Sequence, residues 1–222
     1  MHSEVVIVAR AHRLPRIECR GGLAARITET DTVHLVSAAA TPLGGDTISI
    51  RVVVEPEARL RLRSVAAAVV LPAVGELTSH AALHLEVAGY LDVDLEPTIV
   101  AADARHLSTV DVQLDGSSAL RLRERVQLGR SGEHQGFWSG ALHADAAGLP
   151  LLRHRVELGA DSVSHDVLSA PRACVSELWV PAGDSTAGEN KNAGEAEATA
   201  EGAVALELAG GGVLTTWQGL RL

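Results

Sequence analysis

The feature that most constrains the fold is the alternation of apolar and polar side chains along short segments. Between residues 47 and 54, apolar side chains occupy every second position: Ile48, Ile50, Val52 and Val54. Between residues 59 and 63, leucine and arginine alternate in the same way. Because successive side chains of a strand point to opposite faces, this period of two predicts half-buried strands.

The same pattern recurs at 83–95, 106–114, 118–128 and 151–158, with Gly and Pro between the segments. Long stretches with the 3.6-residue period of a helix are missing, and short helices are conceivable only near Val65–Val70 and Ala173–Leu178. We therefore predict an all-β fold of many short, mainly antiparallel strands in a coiled or stacked β scaffold, with at most two short helices.

One segment, residues 183–202, differs in composition from the rest of the chain. It has no large apolar residue and five acids: Asp184, Glu189, Glu195, Glu197 and Glu201. Such a segment buries too little apolar surface to offset its ordering entropy. We predict a β-stranded domain over 1–182, a flexible acidic linker over 183–202, and a C-terminal β-hairpin over 203–222 that docks back on the domain.

Composition excludes some classes of function. The net charge is −9 and Lys191 is the only lysine, so the basic surface of a nucleic-acid binder is missing. The apolar run Val5–Val8 is too short for a secretory signal or a membrane span. Two cysteines without metal-binding spacing fit a reducing compartment. We expect a cytoplasmic protein that binds neither nucleic acid nor membrane.

Familiar catalytic signatures are also missing. The sequence contains no GxSxG elbow, no glycine-rich phosphate loop ending in Lys-Ser/Thr, and no HExxH motif. The Gly44-Gly45-Asp46 loop is explained by a turn that requires a positive φ. We therefore expect a protein that is not an enzyme.

The histidines and acids near residue 84 allow two interpretations. His80 and His84 have the i,i+4 spacing of a helical metal site, but on a strand this spacing makes a poor chelate. The polar positions of this stretch are His84, Glu86, Tyr90, Asp92, Asp94 and Glu96. They form either an ordinary solvated face or the acidic lining of a wet channel or interface.

Glu124 is the most informative single residue. In the segment 120–128 it shares the parity of the apolar residues, while the neighbouring arginines have the opposite parity. An isolated inward carboxylate is costly unless it is paired, protonated or hydrated. It is therefore either part of a structural ion pair or bulge, or it faces an internal aqueous passage. His154 also has inward parity, which is typical of a satisfied core histidine.

Several landmarks in the sequence resemble, in order and spacing, those of the UreD (UreH) family of urease accessory proteins. The family's Gly-Gly-Asp loop and following strand are similar to residues 39–58. Its Pro-Thr-Ile segment resembles Glu96–Val100, and its later Glu, Leu-Gly-Arg, Ser-Gly-Glu and Gly-x-Pro-Leu-Leu landmarks resemble residues 124–152. Together these landmarks cover about residues 35–160.

This resemblance implies a helically coiled β scaffold that takes part in urease maturation. The partners it implies are a UreF-like helical accessory protein, a UreG-like GTPase and the urease structural subunits. It implies that Ni²⁺ passes through the protein in transit, with no cofactor bound stably. Asp46, Glu124 and Glu133 match acidic positions of the family pattern and are the candidate metal-contacting residues.

Two other functions remain open from the residues alone. One is a generic β-sandwich module that binds protein or carbohydrate, and the other is a hydrolase that uses an Asp/Glu pair. Aromatic residues make up only 2% of the chain, which argues against a sugar-binding platform.

Overall fold

The structure is a computed structural model that describes residues 1–133, 136–160, 162, 170–183 and 202–222. All regular structure in these residues is β, so the predicted all-β class is confirmed. The two stretches considered for helices contribute strands instead, β7 (Ala68–Val70) and β15 (Ala173–Val180).

The strands form two sheets that face each other. Sheet A has the order β14-β13-β11-β8-β5-β1-β2. Its strands are β1 (His2–Ala9), β2 (Arg16–Arg20), β5 (Thr47–Val54), β8 (Thr78–Val87), β11 (Arg105–Leu114), β13 (Phe137–Ala146) and β14 (Leu149–Gly159).

Sheet B has the order β16-β17-β15-β12-β9-β6-β4-β3. Besides β15, its strands are β3 (Leu23–Glu29), β4 (Thr32–Ser37), β6 (Arg59–Ser64), β9 (Tyr90–Asp94), β12 (Ala119–Leu128), β16 (Val204–Glu207) and β17 (Val213–Gly219). The short β10 (Thr98–Val100) pairs with β7 and with β12.

From β5 to β13 the chain alternates between the sheets and so winds as a coil. Each turn adds one strand to each sheet in the same direction. Consequently β1, β5, β8, β11 and β13 are parallel neighbours, and so are β4, β6, β9 and β12.

The predicted predominance of antiparallel pairing is wrong. Of the strand pairs in the described part of the chain, nine are parallel and six antiparallel, and the antiparallel ones lie towards the two ends of the coil. A period of two reports which face of a strand is buried but not the direction of its neighbour, so the sequence pattern fits either arrangement.

The sheet faces that point towards each other supply the apolar core. A larger cluster includes Val52, Leu62 and Leu85, and a smaller one includes Leu128, Trp138 and Leu158. Aliphatic side chains dominate both clusters because the chain has few aromatics.

The stretch 83–95 crosses between the sheets. Strand β8 ends at Val87 in sheet A, and β9 begins at Tyr90 in sheet B. A Cβ on Gly89 would lie 2.3 Å from the carbonyl oxygen of Ala58, so the crossing requires a glycine. The predicted continuous polar face therefore does not exist, because it is divided between two sheets.

At the C-terminal end of the coil, β16 and β17 pair as an antiparallel hairpin and β17 pairs with β15. The linker predicted over 183–202 lies almost wholly outside the described residues, since 184–201 are not among them. In the described ranges we find no helix with the length and apolarity needed to span a membrane.

Candidate functional site: a polar layer between two cores

A layer of small and polar side chains separates the two apolar clusters. In sheet A, Ala81, Ser108 and Gly140 lie side by side on β8, β11 and β13. In sheet B, Glu124 of β12 pairs with Ser176 of β15. We call these five residues the polar layer; none of them belongs to either cluster.

Glu124 is the only carboxylate of the polar layer. It lies between Leu122 of the larger cluster and Val126 of the smaller one. Ser108 of the facing sheet donates a hydrogen bond of 3.2 Å to its Oε1. Burial raises the pKa of Glu124 to about 7, although the Ser108 hydrogen bond opposes the rise. Across the described residues it makes no salt bridge, so the alternative of a structural ion pair finds no support.

Two cavities lie along the layer. One of about 270 Å³ opens between the first turns of the coil, and Ser64, Ala81 and His106 are among its lining residues. The other, about 10 Å³, lies between the last turns, and Glu124, His154 and Ser176 help to line it. The smaller volume corresponds to roughly one water molecule. Ala81 of the layer lines the larger cavity, and Glu124, Gly140 and Ser176 line the smaller one.

Trp138 forms one wall of the narrow cavity. Its ring lies over Gly140, where a Cβ would come within 2.1 Å of the indole carbon Cζ2. Trp138 is 1% exposed, and within the described part of the chain its Nε1 has no hydrogen-bond partner. Gly140 is therefore required for the packing that shapes the cavity beside Glu124.

His106 lies on β11 two residues before Ser108 and is 4% exposed. Its Nδ1 is 2.9 Å from Ser79 Oγ. Burial, with a smaller contribution from nearby His80, lowers the pKa of His106 to about 4, so the ring is neutral at pH 7. His154, the inward histidine singled out from the sequence, is half-buried, and burial lowers its pKa as well.

The thiol of Cys174 lies beside the layer, 3.7 Å from Ser176 Oγ. Burial raises the pKa of Cys174 to about 12, and the nearby Glu124 adds to the rise. The thiol therefore keeps its proton at neutral pH, whereas the thiolate is the form that binds metals.

Asp46 lies directly before β5 and is hydrogen-bonded within its own loop and to Met1. Its Oδ2 accepts hydrogen bonds from Thr41 Oγ1 at 2.8 Å and from the Leu43 N–H at 2.9 Å, and its Oδ1 pairs with the amino group of Met1. Burial alone would raise the pKa of Asp46, but these bonds lower it below its usual value. Gly45 has a φ of 82°, so the predicted positive φ of this loop is confirmed.

Glu133 lies in the connection from β12 to β13. It accepts hydrogen bonds from the Arg130 side chain at 2.6 Å and from the backbone N–H groups of Arg130 and Ala102. The Arg130 contacts lower the pKa of Glu133 to about 2. This carboxylate therefore holds a loop in place and is already paired with a cation.

The three residues predicted to contact metal thus lie in three separate places. No group of three or more His, Cys, Asp or Glu side chains within the described ranges is arranged to hold a metal ion. Only Glu124 belongs to the polar layer. Three other inward residues were not predicted from the sequence, although they share the parity of the apolar side chains on their strands: Ser108, Ser176 and His106.

The acids of β9 lie on the outer face of sheet B, between arginines of β6 and β12. Asp92 accepts a 2.6 Å hydrogen bond from Arg63, and Asp94 accepts one of 2.9 Å from Arg125. The outer face of sheet A carries a different group, in which the Nδ1 atoms of His84 and His143 lie 3.3 and 3.0 Å from Asp111. Both sets of charges face away from the polar layer.

The family model and the similar proteins found by comparison all carry the same family name. The model of the UreD urease accessory protein family matches residues 9–219. The urease accessory protein UreD of Frankia alni is 38% identical to this chain over 97% of it and 80% of that protein. The urease accessory protein UreD of Frankia casuarinae is 36% identical over 86% of this chain and 68% of that protein. The urease accessory protein UreD 1 of Saccharopolyspora erythraea is 35% identical over 72% of this chain and 65% of that protein.

Proposed function

This chain belongs to the UreD family of urease accessory proteins, with a role in urease maturation, and from that premise we propose that it helps to conduct Ni²⁺ to the urease active site. In this proposal Ni²⁺ is cargo rather than a resident cofactor, and the chain catalyses no reaction. It also scaffolds a UreF-like helical accessory protein and a UreG-like GTPase on the structural subunits of apo-urease.

The observation that carries the proposal is Glu124 within the polar layer. A carboxylate between two apolar clusters, without a cationic partner in the described ranges, destabilises the fold, and this cost favours a role in function rather than in stability. A passing divalent cation is attracted to such a charge more strongly than in water, because the surroundings have a low dielectric constant. Oxygen ligands alone hold a divalent transition metal weakly, which suits transfer better than storage.

In this proposal the two cavities are the ends of the path. Ions enter at the 270 Å³ cavity between the first turns and pass the hydroxyl of Ser108 to reach Glu124. They leave at the narrow cavity near His154, next to the edge strand β14. Asp46 and Glu133, the two other predicted metal-contacting residues, are held by bonds within the chain, and we propose that they stabilise the scaffold.

Exposed apolar side chains support the scaffolding role. The connection from β6 to β8 carries Val65, Val69, Val74 and Leu77, which are all exposed. Val74 is fully exposed at the tip of the turn closed by Ala73 and Glu76. Aliphatic groups held in water on an ordered turn favour contact with a protein partner.

Family membership favours this function over a generic β-sandwich module. That alternative rested on antiparallel sheets and a solvated acidic stripe. The central strands instead run parallel in a coil, and the acids of the stripe on β9 are paired with arginines.

Co-expression with apo-urease and its other accessory proteins tests the proposal. We expect both the activity and the Ni²⁺ content of urease to require this chain. Glu124→Gln should keep partner assembly, measured by pull-down, and lower urease activation at limiting Ni²⁺, because Gln keeps the shape but removes the charge.

Glu86→Gln is the matched control, since Glu86 is on the outer face of sheet A and pairs with Arg51. Urease activation by the Glu86→Gln variant should equal that by the natural chain. Full activation by a folded, assembled Glu124→Gln variant would refute a role for this carboxylate in Ni²⁺ transfer.

A further inference from the structure

His106 is a buried group that the carboxylate path does not use. It lies on the inward face of β11 and lines the 270 Å³ cavity just before Ser108. Residues two apart on one strand are separated by about 6.6 Å, so His106 lies one such step from Ser108, the hydroxyl partner of Glu124. A buried histidine that only filled space would lose the hydration of Nε2, since Ser79 compensates Nδ1 alone.

Ser79 holds the His106 ring through its Nδ1 atom, which lies 2.9 Å from Ser79 Oγ. The carbonyl oxygen of Arg105, 3.5 Å from Ser79 Oγ, is a second acceptor for the hydroxyl proton. When the hydroxyl donates to Arg105, its oxygen accepts the bond from Nδ1–H, and the lone pair of the neutral ring is then on Nε2.

Nε2 also has room for a ligand. It has no hydrogen-bond partner among the residues that the structure describes, and it is not one of their fully enclosed polar atoms. His106 is one of the residues that line the 270 Å³ cavity, so an ion bound by its ring would lie at that cavity. Neutrality at pH 7 keeps this lone pair available.

We propose that His106 Nε2 is a nitrogen ligand for divalent transition-metal ions at the entrance of the polar layer, and that Ser79 orients it. The proposal rests on the proposed function, since it adds a selective first contact to the path that ends at Glu124. Imidazole binds Ni²⁺ and Zn²⁺ well and Mg²⁺ and Ca²⁺ poorly, whereas a carboxylate accepts all four. His106 thus supplies a preference for transition metals that Glu124 alone lacks.

A single protein nitrogen with water as the other ligands binds weakly. That is consistent with the lack of a group of three ligating side chains in the described ranges. The Ser79 contact resembles the second-shell bonds that set the tautomer of metal-binding histidines, whose loss lowers metal affinity by about 10–100-fold.

His106→Asn is the decisive variant. The Asn amide takes the place of Nδ1 and keeps a bond to Ser79, but it has no group at the position of Nε2. In the co-expressed accessory complex, supplied with NiCl₂ in excess MgCl₂, we expect the Ni²⁺ concentration for half-maximal urease activation to rise at least about tenfold. His84→Asn, on the outer face of sheet A, is the matched control and should leave it unchanged.

The outcomes separate this inference from the proposed function. If Glu124→Gln impairs activation while a stable, assembled His106→Asn variant shows a normal Ni²⁺ dependence, His106 is not a ligand and the proposed function stands. If neither variant affects activation, both fail. A defect in His106→Asn with normal thermal stability and assembly supports the inference.

A measurement on the natural chain covers the case in which His106→Asn does not fold. In ¹⁵N-histidine NMR of the complex, His106 should show the Nδ1–H tautomer, and sub-stoichiometric Ni²⁺ should broaden its Nε2 signal. An Nε2–H tautomer, or an Nε2 signal that Ni²⁺ leaves unchanged, would overturn the inference.

Discussion

Replacing Glu124 by Gln should stabilise the protein at alkaline pH and leave its stability nearly unchanged at acidic pH. The ordinary pKa of this carboxyl is 4.5, and burial raises it to about 7 in the folded chain. Between these values the unfolded chain releases its proton while the folded chain keeps it, so stability falls as the pH rises. Each tenfold change in proton affinity is worth about 1.4 kcal/mol, which gives a cost of about 3 kcal/mol above pH 7.

Thermal unfolding of both proteins from pH 5 to pH 9 measures this cost. Gln is neutral throughout and so avoids it. For a chain of this size about 3 kcal/mol corresponds to roughly 6–12 °C in Tm. We therefore expect nearly equal Tm values at pH 5, and a Tm of Glu124→Gln that is higher by roughly this amount at pH 8.

Glu133→Gln is the control, because the pKa of Glu133 is shifted in the opposite direction to that of Glu124. The pKa of Glu133 is lowered from 4.5 to about 2, so this group is largely ionised in both the folded and the unfolded chain from pH 5 to pH 9. Any effect of its replacement should be independent of pH over that range. Loss of stability in Glu124→Gln at pH 8 would refute the reasoning, because it would mean that Glu124 neutralises a buried cation.

Three further predictions concern packing and protonation. Gly140→Ala should lower the free energy of unfolding by about 1–3 kcal/mol, since its Cβ would come within 2.1 Å of the enclosed Trp138 ring. The control is Gly116→Ala, whose Cβ would have nothing within 4 Å, and equal Tm values for the two variants would contradict the packing. Gly44→Ala should cost a similar amount and disturb the Asp46 loop, because its Cβ would lie 1.9 Å from the Glu76 carbonyl oxygen; unchanged chemical denaturation would count against it. Since the pKa of His106 is lowered to about 4, its contribution to stability is complete above pH 6.5 and falls by up to about 3 kcal/mol towards pH 4. In acid denaturation His106→Asn should lack this loss, and an acid dependence identical to that of the natural chain would contradict the prediction.

The parity of side chains made part of this structure predictable. The alternation at 47–54 and 59–63 corresponds to β5 and β6, and the inward parity of Glu124 places it between the sheets. Parity is a local property, because it follows from the geometry of one strand. The burial of Glu124 follows from it without knowledge of the other strands.

Properties that depend on distant parts of the chain were not predictable. The direction of neighbouring strands depends on how the chain returns to each sheet, which the period of two does not encode. The sheet change at Gly89 depends on the close approach of residue 58, and the pairing of Asp46 with Met1 joins positions 45 residues apart. Parity likewise cannot show which inward polar residues lie near one another, so Ser108 was not linked with Glu124.

The central claim is tested most directly by a variant in which a larger side chain fills the cavity beside the polar layer, with urease activation as the measurement. Ala81→Leu places a larger side chain in the 270 Å³ cavity beside His106, whereas Ala82→Leu changes the neighbouring position on the outer face of sheet A. We predict that both variants assemble with the accessory proteins and that only Ala81→Leu reduces the Ni²⁺ content and activity of the matured urease. Full Ni²⁺ loading by a folded, assembled Ala81→Leu variant would contradict transport through the layer.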